Sequence, residues 1–165
     1  MSGTQPDPAE AFDAFVTARG PALWRSAWML TGDRYRAEDL VQTALAKSWP
    51  KFEKVDNFEG YVRRVMVNTY TSWWRRKWNG EVPDSDAGVD VVVPGDAPPD
   101  PDLMRALAEL PRGQRTVLVL RYFEGLTERE VADRMAVSVG TVKSQASRGI
   151  RTLRNSPLLT IQEVP

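Results

Sequence analysis

Residues 127–154 read TEREVADRMAVSVGTVKSQASRGIRTLR, and this stretch decides the fold. Thr127 and Glu130 have capping-box spacing: the hydroxyl bonds the third backbone N–H and the carboxylate reaches back to the cap. That predicts a short helix to about Met135, a turn at Ala136 to Ser138, and a helix from about Val139 to Arg154, closed by Pro157. At about 100° per residue from Thr141, the side chains Val139, Val142, Ala146, Gly149, Ile150 and Leu153 fall on one face. Thr141, Ser144, Gln145, Arg148, Arg151 and Thr152 fall opposite, with Lys143, Ser147 and Arg154 on a flank. From Arg134 to Gln162 there are five basic residues and no acid. A merely solvated helix usually mixes acids with bases for internal pairing. This face instead suits a major groove, where Arg reads guanine, Gln reads adenine, and Ser or Thr read either or hold phosphate. Short helix, tight turn and longer helix together have helix-turn-helix spacing, with the second helix as reader. The bland alternative is a basic surface helix, but capping, turn, periodicity and charge all agree on a DNA-reading one.

Working outward, strand signals are nearly absent. Upstream, Asp102 is expected to cap a helix to Leu110, and Pro111 to open another through about Phe123, with Gly125 behind it. Nearer the N-terminus, Asp7-Pro8-Ala9-Glu10 predicts a helix to about Arg19, stopped by Gly20. Pro21 would open a second, ending before Gly32. Asp33 would cap a third over about Arg34 to Trp49, closed by Pro50, and a fourth would run from about Phe58 to Trp78. The tail 156–165 reads as frayed.

Charge divides the chain. Residues 1–78 carry +3, residues 79–102 carry −7 with no base, and residues 103–165 carry +4, so the net charge of zero is misleading. The middle strip also holds five prolines and three glycines, a composition that breaks helices and favours extension. The expected fold is therefore all-α: two small helical domains, 8–78 and 103–155, joined by an acidic Pro/Gly-rich linker, 79–102.

Composition removes several function classes. The 165 residues include no Cys and no His. Disulfides, thiol catalysis, Cys-based zinc sites and the commonest general base are thereby excluded. Acids such as Glu38, Asp39 and Glu59 sit on predicted helices, where carboxylates are usually solvated, so neither an enzyme, a metal nor a cofactor is expected. The N-terminus lacks the basic and apolar regions of a signal peptide, and no apolar run approaches the roughly 18 residues of a membrane span. A soluble cytoplasmic protein without membrane insertion is the expectation. In the first lobe, Tyr61, Tyr70, Trp73, Trp74 and Trp78 alternate with Arg63, Arg64, Arg75, Arg76 and Lys77. Rings with cations suit unstacked bases and their phosphates. Most of these rings are nevertheless expected to pack a small core, while Arg75-Arg76-Lys77 is harder to explain as packing.

In order along the chain, these motifs resemble those of bacterial extracytoplasmic-function sigma factors, the minimal two-domain class, and among them the actinobacterial sigma-E-like group. The resemblance spans about residues 8–155. Ala37-Glu38-Asp39-Leu40-Val41-Gln42, with Leu45 and Trp49, resembles the helix that binds the polymerase clamp. Asn57-Phe58-Glu59-Gly60-Tyr61, then Asn68 and Arg75-Arg76, resembles the promoter-melting segment. Leu110-Pro111-Arg112-Gly113-Gln114-Arg115 with Tyr122 resembles the opening of sigma domain four, and Gly140-Thr141-Val142-Lys143-Ser144 with Ser147-Arg148 its recognition helix.

The resemblance implies binding to core RNA polymerase, at clamp and flap, and to promoter DNA. It gives Asp39 and Gln42 to the clamp, and Asn57, Phe58, Asn68, Arg75 and Arg76 to the minus-ten element. Asn68, expected near the segment Asn57 to Gly60, would hold a flipped base. Thr141, Lys143, Ser144, Gln145, Ser147, Arg148 and Arg151 would read the minus-thirty-five element. The linker would thread polymerase near the RNA exit path, its acids opposing a basic channel. Many relatives are held by an anti-sigma factor, although no residue here marks that surface. Three departures stand out. Ser72 replaces a frequent acid, Gln145 replaces a common Arg and should shift base preference, and Ala136 replaces a frequent glycine, so the turn's backbone is expected to differ. A helix-turn-helix regulator acting without polymerase is the alternative, and the clamp-like motif at 37–49 argues against it.

Overall fold

The computed structural model describes residues 7–78 and 100–159. Most of the predicted linker and the last six residues of the tail lie outside the described residues. Among the described residues every regular element is helical: α1 Pro8–Thr31, α2 Arg34–Ser48, α3 Phe58–Trp78, α4 Pro101–Ala108, α5 Arg112–Leu118, α6 Glu128–Met135 and α7 Val139–Arg154. Short 3₁₀ turns at Trp49–Lys51 and Pro157–Leu159 and a π turn at Val119–Phe123 complete the set.

Several boundaries differ from the sequence expectation. The first two predicted helices are one. Gly20 and Pro21 do not break α1, and Pro21 lies inside it. Proline in a helix interior forfeits one hydrogen bond and costs roughly 3 kcal/mol. Packing on both sides outweighs that cost: Phe12 and Phe15 join an aromatic cluster before Pro21, and Leu23, Ala27 and Leu30 are fully buried after it. The helix ends instead at Gly32, whose φ of 70° allows its N–H to bond the Trp28 carbonyl at 2.7 Å. In the second lobe Asp100, not Asp102, caps α4, its Oδ1 accepting the Asp102 and Leu103 N–H groups. Pro101 explains the shift, since its fixed φ suits the first helical position. Pro101 and Asp102, assigned to the linker, are therefore helical. Beyond Leu118 the helix widens. The Glu124 N–H reaches back five residues to Val119, and Leu126 N–H bonds Leu120 O at 2.9 Å. Tail residues Pro157–Leu159 form a turn against α4 rather than fraying.

The first lobe packs α1, α2 and α3 around Leu23, Leu30, Leu40, Val62 and Met66, all fully buried. Phe12, Phe15, Trp49, Phe52, Phe58 and Tyr61 close one end, mostly edge to face, with centroids as near as 4.8 Å. Arg19 spans α1 and α3, its Nε and Nη2 each 2.8 Å from a Glu59 oxygen. In the second lobe α7 lies on α5, and Gly149 lets them meet: a Cβ there would stand 2.8 Å from Leu118 Cδ1.

The two lobes also pack on each other. Tyr70 and Thr116 share a buried hydroxyl hydrogen bond of 3.0 Å. Arg115, 9% exposed, enters the C-terminal end of α1 and donates Nε to Leu30 O at 3.1 Å. A helix C-terminus carries partial negative charge, so it suits a guanidinium. Gly32 leaves room for it, since a Cβ there would lie 3.1 Å from Arg115 Nη1.

Candidate nucleic-acid interface

The capping box before α6 forms as expected. Thr127 N–H donates to Glu130 Oε1 at 2.8 Å, and Glu130 N–H donates to Thr127 Oγ1 at 3.1 Å. The Thr127 N–H holds the Glu130 carboxyl below its ordinary range, against a small opposing effect of burial. Ala136 then takes φ 59°, the left-handed turn that glycine adopts freely. The backbone at this departure is therefore the one glycine would give, held at a cost by alanine. Ser138 caps α7 by accepting Thr141 N–H at 3.0 Å.

On α7, Val142, Ala146 and Gly149 are buried, while Val139, Ile150 and Leu153 are half-buried. Thr141, Lys143, Ser147, Arg148 and Arg151 are exposed, and Ser144 is half-buried. Gln145 is half-buried, its amide against Gly113 of α5, where a Cβ would stand 3.3 Å from its Nε2. The exposed face is thus cationic, hydroxyl-rich and free of acids. Beside it an open groove of 450 Å³ runs between Tyr122 and Glu128 on one side and Lys143, Ser147 and Arg151 on the other.

The first lobe's nominated residues do not form one site. Asp39 and Gln42 are exposed on α2, one turn apart, with Leu40, Val41, Ala44 and Leu45 buried behind them. Asn57 uses its Oδ1 to accept Gly60 N–H at 3.0 Å, and so caps α3. Phe58 is buried in the aromatic cluster. Asn68 is not near that segment. It lies farther along the same helix, roughly 12–16 Å away at 1.5 Å per residue. Its Oδ1 accepts Arg134 Nη1 from α6 at 2.8 Å. Arg75 donates to the Arg134 carbonyl at 2.6 Å, and Arg76 is exposed. Tyr70 and Trp74 are buried, and Tyr61 and Trp73 are half-buried, so packing claims most of these rings. Arg134 carries no sequence signal of its own. On α6 it lies one turn from Glu130, whose charge it faces, and the approach of the lobes adds Asn68 as a partner.

Among the described residues no cluster of acids fit for a metal ion occurs, and no helix is long and apolar enough to cross a membrane.

Comparison with known proteins gives two family matches. Residues 15–80 match sigma-70 region 2, and residues 101–153 match sigma-70 region 4. The RNA polymerase sigma-E factor of Streptomyces coelicolor is 38% identical over 149 residues, covering 87% of this chain and 84% of its own length. The sigma factor SigL of Mycobacterium tuberculosis is 27% identical across 99% of this chain and 96% of its own. Among solved structures, the sigma factor RpoE of Bartonella quintana, crystallised with the anti-sigma factor NepR, superposes with a TM-score of 0.57 and 28% identity, covering 93% of this chain and 99% of that one. Two helical lobes, a capped helix-turn-helix and two matching sigma regions in the right order leave one conclusion: this chain belongs to the extracytoplasmic-function sigma factors of the sigma-70 family, which direct RNA polymerase to specific promoters.

Proposed function

We propose that residues 8–78 and 103–155 divide the work of promoter recognition, with 79–102 as the connector. The first lobe docks on the clamp of core polymerase through Asp39 and Gln42 and holds the melted minus-ten element through Asn68, Arg75 and Arg76. Asn57 and Phe58 serve that element indirectly, by fixing where α3 begins. The second lobe docks on the flap and reads the minus-thirty-five element through Thr141, Lys143, Ser144, Ser147, Arg148 and Arg151, with Gln145 braced against α5. The protein works in the cytoplasm, carries no catalysis of its own, and takes an anti-sigma factor as a partner, as the Bartonella relative does in its crystal. The observation that carries this reading is the exposed, acid-free face of α7 behind a capped α6.

The test is reconstitution with purified core polymerase on genomic fragments, with transcript starts mapped. Starts that depend on this protein and share two upstream motifs at fixed spacing are expected. DNA binding without core binding or initiation would transfer the chain to the polymerase-independent regulators. Arg148→Ala should relax promoter choice and cost about 1–3 kcal/mol if Arg148 is bidentate to guanine. Uniform weakening on all sequences would make it a phosphate contact. Asp39→Ala should weaken polymerase binding and leave DNA binding by the second lobe intact.

A further inference from the structure

We propose that Tyr35 is an aromatic anchor for core polymerase, at one end of a docking stripe that runs the length of α2 and has Trp49 at its other end. The proposal rests on the reading of Asp39 and Gln42 as clamp contacts and extends it to a residue outside that motif. Core polymerase is the occupant because the stripe is continuous with those two residues.

By themselves Asp39 and Gln42 span about 4.5 Å of helix at 1.5 Å per residue, less than one turn. The face they share is much longer. At about 100° per residue, Tyr35, Asp39, Gln42, Ala46 and Trp49 fall within an arc of about 80°. Trp49 keeps helical backbone angles, φ −49° and ψ −45°, so the stripe passes into the turn that follows α2. All five residues are exposed, and end to end they span about 21 Å. The opposite side of α2 faces the core, with Ala37, Leu40, Val41, Ala44 and Leu45 buried.

Four large hydrophobic side chains are exposed among the described residues, and two of them, Tyr35 at 70% and Trp49 at 43%, mark the ends of this one stripe. Both rings are held in place before any partner arrives. Trp49 stands edge-on to Phe12 at 4.8 Å and stacks on Phe52 at 6.1 Å. Arg34 Cζ lies 5.7 Å from the centre of the Tyr35 ring, and the Tyr35 N–H bonds Asp33 Oδ1 at 2.9 Å. A ring already positioned loses little freedom on binding, and Tyr and Trp dominate the energetics of interfaces. Between the anchors, Ala46 is the shortest of the five side chains and leaves room for one from a partner. Asp39 and its neighbour Glu38 add two exposed acids that make no ion pair among the described residues. The matching polymerase surface is therefore an elongated element with a basic group facing Asp39 and apolar groups at both ends.

Binding of the full-length protein to purified core polymerase, with dissociation followed in real time, tests the anchor. Tyr35→Ala should weaken binding by about tenfold, mostly through faster dissociation. Tyr35→Phe should bind as the parent does, since the ring and not the hydroxyl makes the contact. Circular dichroism and duplex-DNA binding check that each variant is folded, which the exposure of Tyr35 favours. A photo-crosslinking phenylalanine analogue in place of Tyr35, and separately in place of Gln42, should capture the same polymerase subunit. Unchanged binding by Tyr35→Ala, while Asp39→Ala binds weakly, overturns the anchor and leaves the clamp reading standing. A loss in Tyr35→Phe equal to that in Tyr35→Ala overturns the ring as the contact, and crosslinks to different subunits overturn the continuous stripe. If neither Tyr35→Ala nor Asp39→Ala weakens binding, the reading of α2 as the clamp-docking helix fails, and the anchor with it.

Discussion

At the scale of single residues, backbone and proton chemistry make the sharpest statements. Ala136 is the one non-glycine residue with positive φ among those described. Ala136→Gly should raise stability by about 0.5–1 kcal/mol, since relief of the left-handed strain exceeds the extra entropy glycine loses on folding. Urea denaturation would read this gain, and a loss would show that the Ala136 methyl packs. Glu59 behaves oppositely to a strained residue. The Arg19 hydrogen bonds hold its carboxyl below the ordinary range, burial opposes them, and Arg63 adds to the lowering. A depressed carboxylate contributes stability that is full above its unfolded pKa and is lost as pH falls through the folded value. Stability should therefore decline below about pH 4.3, and Glu59→Gln should flatten part of that decline in melting curves recorded against pH. Neither effect involves DNA, so both test the fold alone.

At the scale of elements, legibility followed the range of the interaction. The box at Thr127 and Glu130, the cap at Asp33 and the apolar side of α7 are all local, and each lies where its spacing puts it. Errors arise where packing overrides a local signal. Gly20-Pro21 reads as a break, yet the core on both sides keeps α1 whole. Pro101 moves the α4 cap two residues upstream of Asp102. Within α7, Gly149 has a use that its helix propensity hides. Gly149→Ala would gain roughly 1 kcal/mol of helix propensity but force Leu118 out of a filled core, at about 1–3 kcal/mol. A small net loss in the thermal melt is expected. A net gain would mean that Leu118 has room to turn. The site residues were legible as types on faces. Which of them are already engaged was not, because Arg134 and Asn68 lie 66 positions apart in sequence and meet only through the docking of whole lobes.

At the scale of the molecule, the two lobes share one continuous apolar core, from Leu23 to Ala146. Thr116 is fully buried, and its hydroxyl is satisfied by Tyr70 from the other lobe. Tyr70→Phe should therefore lower the stability of the full chain by about 1–3 kcal/mol, the cost of leaving a buried hydroxyl unpaired. Chemical denaturation followed by tryptophan fluorescence would measure it, and an unchanged midpoint would mean that water reaches Thr116 in solution. The π turn at Val119–Phe123 acts on the same scale. A π turn holds one residue more than an α turn, so it works as a gear with a surplus tooth. Everything downstream is dialled round the axis of α5, and the bearing of α7 against the first lobe depends on that single step. Removing one residue from the turn would swing the buried Val119 and Leu120 out of register and turn the reading head away from its present heading, as a compass card slips on its pivot.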